Sequence, residues 1–128
     1  ASTWMEPPYG IYRTRDGHIA IAQSSLALIA EELSSNELAE AAASRPDPAD
    51  EAALQAWRDR VYPLVQAALL PLTTEEAVER LTARGVWVGP VQGYDELIAH
   101  PQSEGLFATV EHPRAGPIRT LAPAIAFS

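Results

Sequence analysis

The side chains able to do chemistry in this 128-residue chain are three histidines, two adjacent serines and a set of scattered acids. Catalytic and metal sites need such groups to converge. His18, His100 and His112 have no second His or Cys at a metal-ligand spacing, so no metal site is expected. Each falls at the end of an element, where a polar residue has a structural use. Ser24 and Ser25 lack a GxSxG elbow and a nearby His base. They read as helix caps, because a serine hydroxyl accepts an orphan N–H of a first helical turn. Glu31-Glu32 and Glu75-Glu76 are adjacent pairs, so their members point in different directions on a helix. Carboxylate-pair catalysis needs two groups facing one bond. The glycines at 10, 17, 85, 89, 93, 105 and 116 are dispersed and form no phosphate-binding loop. No self-contained catalytic group is expected in this chain.

The bulk composition narrows the partners. The net charge is −8, and the 9 cationic residues are all Arg. Such a chain repels phosphate backbones, which argues against nucleic acid and against an anionic membrane surface. No apolar run approaches the ~20 residues of a spanning helix, and ASTWMEPP lacks the regions of a secretory signal. With no cysteine, there is no disulfide framework and no thiolate nucleophile or metal site. These features agree with a reducing, cytoplasmic compartment. The 47% hydrophobic content suits a globular core. A chain beginning ASTWM without an initiator Met is expected to be a fragment of something longer.

The elements that would position these residues follow from periodicity and punctuation. Residues 1–8 read as an entering loop and residues 9–128 as one domain. Tyr9–Thr14 and His18–Gln23 read as strands joined at Arg15-Asp16-Gly17, with Ile19 and Ile21 on one face. Leu26, Ile29 and Leu33 fall on one helical face, and Asn36 is placed to cap a short successor. Asp50 caps a longer helix with Leu54, Trp57, Val61, Val65 and Ala68 in one stripe. Pro63 predicts a kink or restart there. Thr73 and Glu76 match a capping box.

Residues 83–101 are the most heavily punctuated stretch. Gly85 stops a helix, Val86, Trp87 and Val88 read as a buried strand, and Gly89-Pro90 is expected to end its pairing. Asp95 is expected to cap a helix that His100-Pro101 stops. Leu106–His112 and Pro117–Leu121 form a closing hairpin. Strands at both ends around a helical middle predict an α+β fold. Its mainly antiparallel sheet comes from the terminal hairpins, with a helical layer between them in a two-layer sandwich. Trp57 and Trp87 are expected in the core. Trp4, in a Pro-flanked loop, needs a partner surface, either the domain itself or a neighbour.

Three segments in order resemble the small domain of class III CoA-transferases, the CaiB/BaiF family. They are PYGIYRTRDGHIAIA from Pro8, ARGVWVGPVQGYDELIAHP from Ala83, and TVEHPRAGPIRTLAPAIAFS from Thr109. The resemblance implies a parent that moves CoA from an acyl-CoA to a carboxylic acid. Its nucleophilic Asp would lie in a large domain preceding Ala1, so none of the aspartates here takes that role. It further implies an interlocked homodimer, with coenzyme A as cosubstrate rather than a cofactor held by this chain alone. Trp4, Met5 and Glu6, in the entering loop, would then line the acyl end of the site. Gly85, Gly89 and Pro90 would be structural. The formyl-CoA branch has a glycine-rich loop where Ser2–Pro7 has none, and the racemase branch has a Glu near where Leu26 stands. Both departures argue against those specificities. The alternatives are a free-standing, non-catalytic binding module with the same fold, or a domain of an acyl-CoA racemase or isomerase.

Overall fold

A computed structural model describes residues 5–123. Two compact units divide the chain, one ending at Val91 and the other beginning at Gln92.

The first unit opens with strands β1 (Gly10–Arg13) and β2 (His18–Ile21), paired antiparallel with Ile11 opposite Ala20. Asp16 and Gly17 lie in the connecting loop, which closes with a Thr14 N–H to Gly17 carbonyl bond. Ile19 and Ile21 are both buried, as the alternation requires. Helices α1 (Leu26–Glu32) and α2 (Asn36–Ala43) follow. Ser34 stands at φ 52 between them, and Ser34 and Ser35 return N–H bonds to Glu31 and Ala30. This turn leaves Ser35 extended, so Ser35 rather than Asn36 caps α2, accepting from the Leu38 N–H. Ser25 occupies the α1 cap position without a side-chain bond, while the Ser24 hydroxyl accepts from the Trp87 N–H.

Helix α3 (Glu51–Leu69) begins at Asp50, whose carboxylate accepts from the Ala53 N–H at 3.0 Å. Its buried residues are Leu54, Trp57, Val61, Val65 and Leu69. Each large side chain removed from water there stabilises the fold by about 1.5–3 kcal/mol. The Trp57 indole donates to the Ala41 carbonyl, which fixes α2 against α3. The helix runs through Pro63 without a restart. Pro63 is exposed, so water can take the carbonyl that lost its N–H partner.

Helix α4 (Thr74–Ala83) carries both halves of the Thr73–Glu76 capping box, at 3.1 and 2.8 Å. It ends on Gly85 at φ 75, with Gly85 and Val86 bonding back to Thr82 and Leu81. That is the glycine stop with its apolar contact, because Val86 and Leu81 share the core.

Strand β3 (Val88–Pro90) adds to β2, giving the sheet order β1-β2-β3. Gly89 and Pro90 therefore pair instead of breaking the strand: Gly89 faces Ala20 and Pro90 faces Ile19. The Val91 N–H to His18 and Ala22 N–H to Trp87 bonds set the alternation. They leave Ile19–Pro90 at a non-hydrogen-bonded position, where a missing N–H costs no ladder bond. Trp87 is 76% exposed, outside the strand and outside the core. The described residues of the first unit cover only one face of this sheet, so of Val86, Trp87 and Val88 the middle residue points outward.

The second unit holds α5 (Tyr94–Ala99), a short 3-10 turn at Pro101–Ser103, and the hairpin of β4 (Phe107–His112) and β5 (Gly116–Leu121). Gly93, not Asp95, occupies the α5 cap position. The Glu96 carboxylate accepts the Gly93 N–H at 2.7 Å, and Asp95 lies within the first turn, where it can only favour the helix dipole. The helix stops at His100-Pro101 as expected. All strand pairs are antiparallel and the fold is α+β, with the two terminal hairpins in separate sheets.

Two glycine substitutions test this account. Gly85→Ala should destabilise by about 1 kcal/mol, because an L side chain is strained at φ 75 whatever the open space around it. Gly89→Ala meets nothing within 4 Å and should change stability by less than about 0.5 kcal/mol. Urea midpoints measure both; equal losses would remove the backbone argument for Gly85.

Candidate functional site

The entering segment is held by side chains from two later elements. The Glu6 carboxylate takes a two-pronged contact from Arg45, at 2.8 Å from Nε and 2.7 Å from Nη2. Arg58 stands 4.0 Å from the same carboxylate. The hydrogen bond from Arg45 is the largest influence holding the Glu6 carboxyl below its ordinary range. The Tyr62 hydroxyl lies 2.9 Å from the Met5 carbonyl and 3.0 Å from the Tyr9 carbonyl, so one phenol bridges the segment and the start of β1. Pro7 and Pro8 are buried between these anchors. Of the residues expected to line a substrate, the Met5 carbonyl is held by α3 and Glu6 chiefly by Arg45 in the loop before it, and Trp4 lies outside the described residues. Glu6 is engaged as an anion, so it is a poor proton acceptor.

The remaining candidates separate. His100 and His112 each use Nδ1 to accept backbone N–H groups two or three residues on, which closes local turns. His18 is exposed at the start of β2. Asp16 accepts from the Thr74 N–H at 2.8 Å and its hydroxyl at 2.9 Å, tying the hairpin loop to α4. Those bonds lower its carboxyl below the ordinary range. Tyr12 is buried among apolar neighbours, which raises its phenol far above its ordinary value. Among the described residues, no group of His, Asp and Glu converges as a metal would need.

A surface feature that sequence reasoning missed lies on the uncovered face of the β1-β2-β3 sheet. A concavity of about 560 Å³ is lined there by Tyr9, Ile11, Ala20, Ala22, Trp87 and Gly89, among others. The register explains its shape. Ile11, Ala20 and Gly89 form one cross-strand row, with Ala22 and Trp87 in the next. Small residues make the floor, and Ile11 and Trp87, 66% and 76% exposed, make the walls. Trp87 carried the available signal, as the odd member of a period-2 pattern.

The sequence matches the family described as CoA-transferase family III over residues 2–128. No curated protein matches it. The chain is similar in fold to Rv3272 from Mycobacterium tuberculosis, at 19% identity and a TM-score of 0.64, covering 96% of this chain and 35% of that one. It is likewise similar to a CAIB/BAIF family protein from Brucella suis, at 22% identity and a TM-score of 0.63, covering 96% and 32%. The chain therefore spans about a third of the length of these solved structures.

The Glu6–Arg45 contact yields a pH test. The Glu6 carboxyl is depressed on folding, so its stabilisation is present above the unfolded carboxyl value near 4.5 and is lost as pH falls through the lower folded value. Arg45→Met should lower the melting midpoint at pH 7 by a few degrees at most, because the pair is partly exposed and screened. The difference from wild type should vanish in acid. A difference that stayed constant down to full carboxyl protonation would assign the loss to packing instead.

Proposed function

The chain belongs to CoA-transferase family III, and from that premise we propose that it is the small domain of an acyl-CoA:carboxylate CoA-transferase. It would close the active site at the acyl end, while the nucleophilic Asp stands in a large domain. The observation that carries this reading is one of proportion. The family match runs over residues 2–128, whereas the chain covers 35% and 32% of two solved chains of like fold. Most of each such chain has no counterpart here.

In the proposed reaction, an Asp of the large domain attacks the donor thioester. A mixed anhydride forms and CoA thiolate leaves. The thiolate then attacks the Asp carbonyl of that anhydride, expelling the donor carboxylate and giving an aspartyl-CoA thioester. The acceptor carboxylate repeats the two steps in reverse, to leave as its CoA thioester and free the Asp. Covalent catalysis of this kind divides one acyl transfer into easier steps. The small domain would contribute position. Arg45 and Tyr62 hold Glu6 and the Met5 carbonyl, so the contribution proposed for Met5 and Glu6 would be made from a restrained backbone. The aspartates of this chain do not suit the nucleophile's role where their bonds are seen: Asp16 is engaged by Thr74, and Asp50 caps α3. The parent would act as a cytoplasmic homodimer on an acyl-CoA and a carboxylate.

Purified alone, the 128-residue chain should transfer no CoA between an acyl-CoA and a carboxylate acceptor, whereas the parent polypeptide should. In the parent, Trp4→Ala should raise KM for the acyl donor about tenfold, a loss of ~1.4 kcal/mol of binding. Turnover by the isolated chain would overturn the assignment. An unchanged KM in the Trp4 variant would remove the entering segment from the acyl site.

A further inference from the structure

We propose that the uncovered face of the β1-β2-β3 sheet seats an amphipathic α-helix of the large domain. That helix would be apolar where it crosses Ala20 and Gly89, and would carry a carboxylate where it meets Arg13. The inference rests on the reading above, which supplies the large domain, and it assigns that domain a specific footing on this chain.

Four observations carry it. The first is the shape of the face. Strands lie about 4.8 Å apart, so the Ile11 and Trp87 walls stand roughly 10 Å from each other across β2. Ala20, Ala22 and Gly89 floor the space between them. A helix lying over the sheet is about 10–12 Å across with its side chains, wider than the gap, so it would rest above the walls and lower one row of small side chains onto the Ala and Gly floor.

The second is charge. The chain has 17 acids against 9 arginines, yet no outward-facing residue of these three strands is Asp or Glu. The one charged position of the face is at its end, where Arg13 stands opposite His18. Among the described residues, Arg13 makes no ion pair. An apolar face with a cationic end calls for an apolar partner with an anionic end.

The third observation excludes strand addition. The Gln66 amide forks onto β1, accepting the Arg13 N–H at 2.9 Å and donating to the Arg13 carbonyl at 2.9 Å. It occupies the place of a neighbouring strand. Tyr62 takes the Tyr9 carbonyl on the same edge. On the far edge, β3 is three residues long and ends in Pro90, which has no N–H to offer. Both edges resist pairing, so a partner must approach over the face. The fourth is exposure. Ile11 and Trp87, 66% and 76% exposed, are apolar side chains whose burial would each be favourable.

Thiol labelling tests the proposal, and the absence of native cysteine in this chain makes it clean. Ala20→Cys would be placed in the 128-residue chain and in a cysteine-free parent polypeptide, and each treated with a maleimide. The thiol should label about tenfold or more slowly in the parent than in the chain alone. Equal rates in a parent that still transfers CoA would overturn the inference and leave the functional reading intact. A parent without transferase activity or a large domain would instead overturn the reading beneath it. Protection that appears in the chain alone as its concentration rises would show a second copy in the trough, and would also overturn the inference. Ala20→Arg gives an independent arm. The residue is exposed, so the chain alone should keep its unfolding midpoint, while the parent should become open to proteolysis between the domains. A parent resistant to protease with Arg at that position would count against docking on this face.

Discussion

Helix α3 is the constraint on which the first unit depends. Its apolar stripe of Leu54, Trp57, Val61, Val65 and Leu69 forms the middle of the core. A second stripe runs beside it at i+4 intervals: Arg58, Tyr62 and Gln66. These side chains reach Glu6, the carbonyls of Met5 and Tyr9, and both backbone groups of Arg13. One face of the helix therefore supplies burial, and the neighbouring face supplies the hydrogen bonds that place β1 and its approach. Shifting the helix by one residue would rotate it by about 100° and lose both sets together. The entering segment and the hairpin are positioned relative to each other because they share this single beam.

Much of that arrangement is legible in the sequence where the signal is local. The Asp50 and Thr73–Glu76 caps, the Gly85 stop and the Ile19/Ile21 alternation each rest on contacts within about six residues. They emerge as the residue types require. The departures have a common cause. Val86, Trp87 and Val88 do alternate, but alternation alone does not say whether a sheet is covered on one face or two. Pro90 breaks a strand only where its N–H is demanded, and the register that relieves the demand is set by β2, about 70 residues earlier in the chain. Asp95 has the residue type of a cap, but the helix starts at Tyr94, which puts Asp95 inside the first turn and leaves Glu96 to take the Gly93 N–H.

The candidate site was less legible for the same reason. Glu6 and Arg45 are 39 residues apart, and Gln66 meets Arg13 across 53. Polar side chains carry no periodic mark of their partners, so an acid in a loop looks alike whether it is free or clamped. The apolar trough is hidden differently. Its floor is Ala20, Ala22 and Gly89, residues so common that only their cross-strand alignment gives them meaning.

The two units are stabilised by different means, and this bears on how the chain can work. The first unit owns a core of fully buried side chains such as Ile29, Leu38, Leu69 and Leu81. Among the described residues of the second, Ser103 is the buried one, while Leu106, Val110, Ile118 and Leu121 are exposed. Its order comes from backbone satisfaction over short distances: Glu96 on Gly93, His100 on Gln102, His112 on the next turn, and glycines at φ 82 and 71. A two-stranded hairpin held in this way is marginal by itself. Opening it costs little, because few apolar contacts must be surrendered. The first unit is therefore the one built to hold its shape, and the second the one that can yield to a contact, because it has less buried apolar surface to lose.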